Sequence, residues 1–304
     1  MIGAPPLTRN RIRRTAEDWV VDIVVYAIAA LVFLICLYPF YLSIVLAFNE
    51  GKDAAFGGIF VWPRKFTLEN FDMLTRDSTW GRALLITASR TALGTVLTTL
   101  FTSFVSYGLS ERKLVGRKVY MTMIIIAMYF SGGIIPYYTL LRTLGLLNRF
   151  QVYVIPGMLS LFYVLVSITF FQEIPAELGE SARIDGAGEL SIFLRIILPI
   201  SMPLLATIAI FTAVGHWNAW YDSAFFVQNK DLRTMGYQLM SVVNKANAAM
   251  MNANLPPEAQ AVAQATTLSV QLAAMLVAVA PILIIYPFFQ RFFVSGLTIG
   301  SVKG

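Results

Sequence analysis

Six stretches of this chain are each long and apolar enough to cross a lipid bilayer, and they leave room for little else. A membrane helix needs about 20 mostly apolar residues, and residues 23–48, 83–109, 119–141, 152–171, 203–227 and 270–292 each supply such a run. None alternates polar and apolar side chains as barrel strands do, so each reads as a helix. The 304 residues are 57% hydrophobic and 13% charged, with a mean hydropathy of +0.68. That is too apolar for an ordinary soluble domain. The expected fold is an all-α integral membrane protein with six transmembrane helices. The single cysteine, Cys36, falls inside the first stretch, so no disulfide framework can form within the chain.

A net charge of +6 would suit nucleic acid, but the basic residues cluster beside the apolar stretches instead of forming a stripe with interleaved aromatics. No nucleic-acid partner is expected, and orientation accounts for the charge. Arg9, Arg11, Arg13 and Arg14 precede the first stretch, and Arg112, Lys113, Arg117 and Lys118 sit between the second and third. Cations in such short segments mark both as cytoplasmic. Parity then places the loop between the fourth and fifth stretches, and both termini, on the cytoplasmic side. The loop 49–82 carries five cations on the other side, which its greater length tolerates. The first stretch is longer than the core of a signal peptide and reads as an uncleaved span. The expected organisation is a cytoplasmic tail at 1–22, a six-helix membrane domain at 23–292 and a cytoplasmic tail at 293–304. Outer loops fall at 49–82, ordered around Trp62, Phe66, Phe71 and Trp80, and at 228–269, where 258–262 would begin a helix lying at the membrane surface.

Enzyme constellations are missing. One histidine, His216, excludes a His-Glu-x-x-His metal motif, and no Gly-x-Ser-x-Gly elbow is present. There is no phosphate loop either, since Lys52 is followed by Asp53, so any ATP must bind another subunit. No internal repeat is visible, and a two-fold transporter built from this chain needs a second, related one. What stands out is the polar stretch 172–200 between the fourth and fifth spans. Pro175 is tolerated in a first helical turn, Glu177 and Glu180 suit the positive end of the helix dipole, and Gly186 and Gly188 end the helix. A helix of about ten residues is marginal alone in water and needs a surface to lie against.

Glu180, Ser181 and Ala182, then Gly186, then Ile196, Leu198 and Pro199, resemble the Glu-Ala-Ala cytoplasmic loop of ABC-importer permease subunits, with Ser181 the one departure. The likeness extends over most of the chain from Trp62 and is similar to carbohydrate-importer permeases of the maltose-transporter type. Residues 131–137, 144–148, 217–220 and 296–304 resemble the oligosaccharide branch of that family, to which subunits of alginate importers belong. The resemblance implies a multi-pass protein of the bacterial cytoplasmic membrane. Its partners would be a second homologous permease, a dimer of ATPase subunits holding ATP and Mg, and an extracytoplasmic solute-binding protein. It implies that Glu180 contacts a basic group on the ATPase, that Asp185 fixes the loop and that Gly186 permits its turn. It also implies that the C-terminal tail extends between the ATPase subunits.

Polar and aromatic groups concentrate at Trp217, Asn218, Trp220, Tyr221 and Asp222 in the fifth span. Intramembrane polar residues are costly and usually face a bundle interior or a wet path. Flat rings and amides suit sugar, so these residues read as a translocation pathway. They read equally as an interfacial aromatic belt with Asn218 bonded to a neighbouring helix. Tyr129, Gly132 and Gly133, ahead of Pro136, interrupt the third span and either border the path or allow close packing. Arg90 lies inside the second span and must snorkel outward or meet an acid such as Asp222, and snorkelling is the expectation. His216 reads as a packing residue, not a proton switch. The alternative to an importer subunit is a self-contained secondary sugar transporter, which six spans without an intramembrane carboxylate chain support poorly.

Overall fold

The computed structural model describes residues 16–75, 78–250 and 266–284. Residues 1–15 of the expected N-terminal tail, the segment 258–262, residues 285–292 of the last expected span and the C-terminal tail lie outside the described residues. Among the described residues the chain is helical, with one isolated antiparallel bridge, Asn49 to Phe66.

Three helices are long and apolar enough to cross a membrane unaided: α1 (Ala16–Ala47), α2 (Thr79–Ser110) and α11 (Thr266–Ile284). Three further pairs reach that length only when taken across a bend. These are α3 (Arg117–Tyr129) with α4 (Ile134–Thr143) at 117°, α5 (Leu161–Glu173) with α6 (Ala176–Ile184) at 73°, and α7 (Glu189–Ile200) with α8 (Met202–Asn218) at 81°. Two more helices, α9 (Tyr221–Phe226) and α10 (Met235–Met250), follow. The chain thus has three to six candidate crossings.

Helix α2 is the post of the bundle. Its buried residues Ala83, Thr87, Arg90, Gly94, Thr98, Thr102 and Ser106 recur at spacings of three and four, one stripe along one face. Small and hydroxylated side chains let membrane helices approach closely and bond across the gap. Thr98 donates to the Gly157 carbonyl at 2.9 Å, and the Thr102 hydroxyl accepts from the Ser160 amide at 3.2 Å. At Gly94 the approach is close enough that a Cβ there would overlap the His216 ring. The His216 ring thus packs directly against α2.

The third expected span breaks where its glycines stand, at 130–133 with Gly133 at a φ of +81°, and its two helices reach crossing length only when taken together. Two other expected spans are corrected. The fourth starts as a single 3-10 turn, Phe150–Tyr153, and its helix begins only at Leu161. Val152, Tyr153 and Val154 are apolar because they pack in a protein core with Leu141, Phe226 and Val227, not because they face lipid. The fifth stops at Asn218 and resumes as α9.

The connection after α4 shows how local sequence closes this core. The Leu146 amide donates to Leu141 and the Gly145 amide to Arg142, at 2.9 and 3.0 Å, with Gly145 at φ +66°. This is a Schellman closure, which needs glycine at the left-handed position. Asn148, also left-handed at φ +58°, then accepts from the Gln228 and Asn229 amides at 3.0 and 2.7 Å and latches the loop onto the chain after α9.

Candidate functional site

Helix α6 is the expected loop helix. Pro175 caps it in an extended conformation, one residue ahead of the first turn. At the other end the Gly186 amide donates to Arg183 at 3.0 Å and the Ala187 amide to Ala182 at 2.9 Å, with Gly186 at φ +82°. This second Schellman closure turns the chain sharply. A side chain on Gly186 would meet nothing within 4 Å, so the need for glycine lies in the backbone angle alone.

Ala182 is buried in a cluster with Phe171 of α5, Ile192, Phe193 and Ile197 of α7, and Leu204 and Ile208 of α8. Ile196 and Leu198 pack half-buried against the same cluster, and Pro199 is exposed. A small side chain at 182 lets the helix sit on these residues. Glu180, Ser181 and Asp185 stay on the exposed surface, and Ser181 donates to the Glu177 carbonyl at 2.8 Å. Arg183 turns away from Glu180. It bonds Glu189 at 2.6 and 3.3 Å, and the same carboxylate accepts from the Tyr107 hydroxyl at 3.1 Å. A polar clamp thus ties α6 to the start of α7 and to α2. Within α7 one turn widens to a π-helix, Phe193–Ile197, and the chain bends at Ser201 between Pro199 and Pro203. Prolines donate no ladder bond and release the helix there.

At the far end of α8 a second group of sequence-selected residues divides. Trp217, Asn218 and Trp220 line one groove of about 230 Å³ with Met235, Leu239 and Ala278. Trp217 Nε1 donates to the Ala278 carbonyl at 3.0 Å, joining α8 to α11. Asn218 donates to the Val214 carbonyl of its own helix at 3.0 Å, not to a neighbouring helix. Tyr221 stacks into an aromatic group with Phe225 and Phe226 at centroid distances of 4.6 and 6.0 Å, and Tyr137 of α4 meets Phe226 at 5.4 Å. Tyr129, Gly132 and Gly133 are exposed, and the contact from the third span to this region comes from Tyr137 and Tyr138.

Asp222 takes no part in the groove. It pairs with Arg90, which is 3% exposed and does not snorkel. The guanidinium also donates to the Ala219 carbonyl at 3.2 Å and to His216 Nδ1 at 3.4 Å, and lies 4.8 Å from the centroid of the Tyr153 ring. An extended terminus at Ala219 leaves a carbonyl without a helical donor. Arg90 supplies one, and so holds the break between α8 and α9 against α2. Thr87 and Ser223 add further ties, accepting from the Met235 and Thr234 amides at 2.8 and 3.1 Å.

Residues 95–299 match the model of the binding-protein-dependent transport system inner membrane component family. The chain is 32% identical over 288 residues to the polygalacturonan/rhamnogalacturonan transport system permease protein YtcP of Bacillus subtilis (strain 168), covering 93% of this chain and 98% of that one. In fold it is similar to a chain of a bacterial ABC transporter involved in the import of the acidic polysaccharide alginate. The TM-score is 0.77 at 24% identity, covering 92% of this chain and 99% of the other. A chain of a bacterial alginate ABC transporter in complex with its pentasaccharide-bound periplasmic protein matches at a TM-score of 0.54 and 15% identity, over 90% and 95% of the two chains. With the family model covering two thirds of its length and a relative matched nearly end to end, the chain belongs to the binding-protein-dependent transport system inner membrane components.

Proposed function

We propose that this permease subunit passes an acidic, uronate-containing oligosaccharide through a bacterial cytoplasmic membrane, and that α6 is the lever by which a partner ATPase drives it. The observation that carries the lever is the seating of α6. A nine-residue helix is pinned by Ala182, closed by Gly186 and clamped through Arg183 to Glu189, while Glu180 and Asp185 face outward. A helix so short has no stability of its own, so it is rigid only because the cluster holds it. That cluster continues into α8 through Leu204 and Ile208, so displacement of α6 reaches the pathway end of α8 without being absorbed.

In this reading both termini and the loop 172–200 are cytoplasmic, and the loops 49–82 and 228–269 face outward. A second, homologous permease completes the pathway. An extracytoplasmic binding protein delivers the sugar, and ATP and Mg are held by the ATPase dimer. Trp217, Asn218 and Trp220 line the sugar path, with flat rings for pyranose faces and an amide for hydroxyls. The substrate class is supported by the names of the relatives, a polygalacturonan/rhamnogalacturonan permease and an alginate importer, both for acidic chains.

The test is co-purification of this chain with its sibling permease and ATPase, with the native loop and with Glu180→Lys, Gly186→Leu. A complex that survives only with the native loop supports the lever. An assembly indifferent to both changes overturns it. Uptake of radiolabelled oligogalacturonate against neutral maltodextrin separates the substrate class.

A further inference from the structure

The segment 56–62 carries Phe56, Phe60, Val61 and Trp62 on its surface, all more than 60% exposed, in a run from 54 to 62 that holds no charge. An apolar surface of this kind on a loop needs a partner, and the placement of the loop identifies one. Its base is locked: Arg64 donates from Nε to both Asp53 oxygens at 3.0 and 2.9 Å and from Nη2 to the Asp53 carbonyl at 2.9 Å. Asn49 and Asn70 bond the backbone around it. From that base the chain folds back along α1 through Gly57 and Gly58, both left-handed at φ +68° and +72°. The Tyr41 hydroxyl donates to the Val61 carbonyl, and the Tyr38 hydroxyl to the Phe60 carbonyl at 3.4 Å.

These two bonds set the depth. Tyr41 and Tyr38 lie six and nine residues before the end of α1 at Ala47, about 9 and 14 Å down its axis at 1.5 Å per residue. Helical side chains lean toward the N-terminus, so the hydroxyls come no nearer the helix end. The apolar run of α1 starts at residue 23, and about 20 residues span the hydrocarbon, which ends the hydrocarbon near Leu42. The loop therefore lies at the boundary between acyl chains and headgroups. Irregular backbone at that depth must have its carbonyls satisfied by protein, and the two tyrosines do this for Phe60 and Val61. Beneath it an apolar groove of about 460 Å³, lined by Leu34, Ile35, Leu37, Tyr38 and Tyr41, runs along the same helix. Arg64 and Lys65 follow at the water side.

We propose that residues 56–62 form a membrane-inserted loop whose partner is phospholipid, with Phe60, Val61 and Trp62 among the upper acyl carbons and the groove taking an acyl chain. The loop then anchors the Ala47 end of α1, whose most apolar window holds no buried residue among the described residues.

The test uses the assembled transporter in phosphatidylcholine vesicles, in a Cys36→Ser background, with a nitroxide at Phe60→Cys. Power saturation compares oxygen, which concentrates in lipid, with a water-soluble nickel chelate. Ile28→Cys serves as the lipid reference and Lys230→Cys as the aqueous one. The expected result is an oxygen-to-nickel ratio shifted to the Ile28 value. A ratio at the Lys230 value means the loop is in water and overturns the proposal. Loss of access to both reagents means a protein partner covers it and overturns the proposal equally. If the Phe60 variant fails to assemble, Trp62→Cys is read against the same references.

Discussion

Removing the Asp222 carboxylate tests the buried ion pair most directly, because it leaves Arg90 charged where water cannot reach it. Arg90 is 3% exposed and Asp222 29%. Breaking a buried pair from one side costs roughly 3–5 kcal/mol. The partial exposure of Asp222, and the Ala219 carbonyl and His216 that still face the guanidinium, put Asp222→Ala at the low end, about 3 kcal/mol. That is on the order of a hundredfold in the folding equilibrium. Arg90→Leu together with Asp222→Ala removes the charge with its partner, and such replacements are often close to neutral. The double variant should therefore recover most of the loss, with a coupling energy of about 2 kcal/mol. The assay is a double-mutant cycle read from unfolding of the purified chain in mixed detergent and SDS micelles. Additivity within about 0.5 kcal/mol would mean that Arg90 reaches water by itself, and the clamp on the Ala219 break would be refuted.

Other consequences follow from single positions. Gly186→Ala should cost about 1–2 kcal/mol through its left-handed angle, and Gly186→Asn less, since asparagine tolerates that region. Substrate-stimulated ATP hydrolysis in the reconstituted complex should fall in the order Gly, Asn, Ala, and equal rates would remove the turn from the mechanism. Gly94→Ala should destabilise the bundle by about 1–3 kcal/mol, because its Cβ would overlap the His216 ring. In a His216→Ala background the same change should cost less, and an equal cost would sink the explanation. In the loop 49–66, burial pushes the Asp53 carboxyl up, but hydrogen bonds from Arg64 and Asn49 and the nearby Lys65 charge outweigh it and hold it below its ordinary 3.8. A lowered folded value gives stability that is present above the ordinary value and lost only as pH falls through the lowered one. Proteolysis at Arg64–Lys65, on the water side, should stay slow from pH 7 to pH 4, and opening already at pH 5 would contradict the pairing.

How much of this was legible in the sequence depended on whether the signal was local. Helices α1 and α2 were readable because a mostly apolar run of 26 or more residues without a glycine-proline break has one physical solution in lipid. So was α6, since Pro175, Gly186 and Gly188 punctuate it within its own length. The break at 130–133 announced itself through two glycines. The fourth span was misread because apolarity does not distinguish a residue facing lipid from one packed in protein, and Val152 to Val154 are of the second kind. For Arg90 the sequence offered Asp222, 132 residues away, as one of two outcomes, and the expectation chose the other. A cost estimate for an isolated cation favours snorkelling, and only the tertiary structure supplies Asp222, Ala219 and His216 together. Tyr137 and Tyr138 escaped notice because nothing local marks a tyrosine as the contact to Phe226.

The two sites also explain each other. Helix α8 is released from the chain at both ends, at Ser201 by Pro199 and Pro203 and at Ala219 by an extended residue, so it can move as one rod. A rod free at both ends would transmit nothing, and each end is held by a different kind of contact. At the Ser201 end the contact is apolar and shared with α6 through Ala182, Leu204 and Ile208. A close-packed apolar contact passes a displacement on instead of absorbing it, which suits the end where the proposed lever acts. At the Asn218 end it is polar and directional, through Arg90 to His216 and the Ala219 carbonyl and through Trp217 to Ala278. Hydrogen bonds weaken steeply when bent, so this end resists rotation until its partners move with it. On the proposed lever, motion entering at α6 carries α2 and α11 along at the groove, or else breaks the bonds from Arg90 and Trp217.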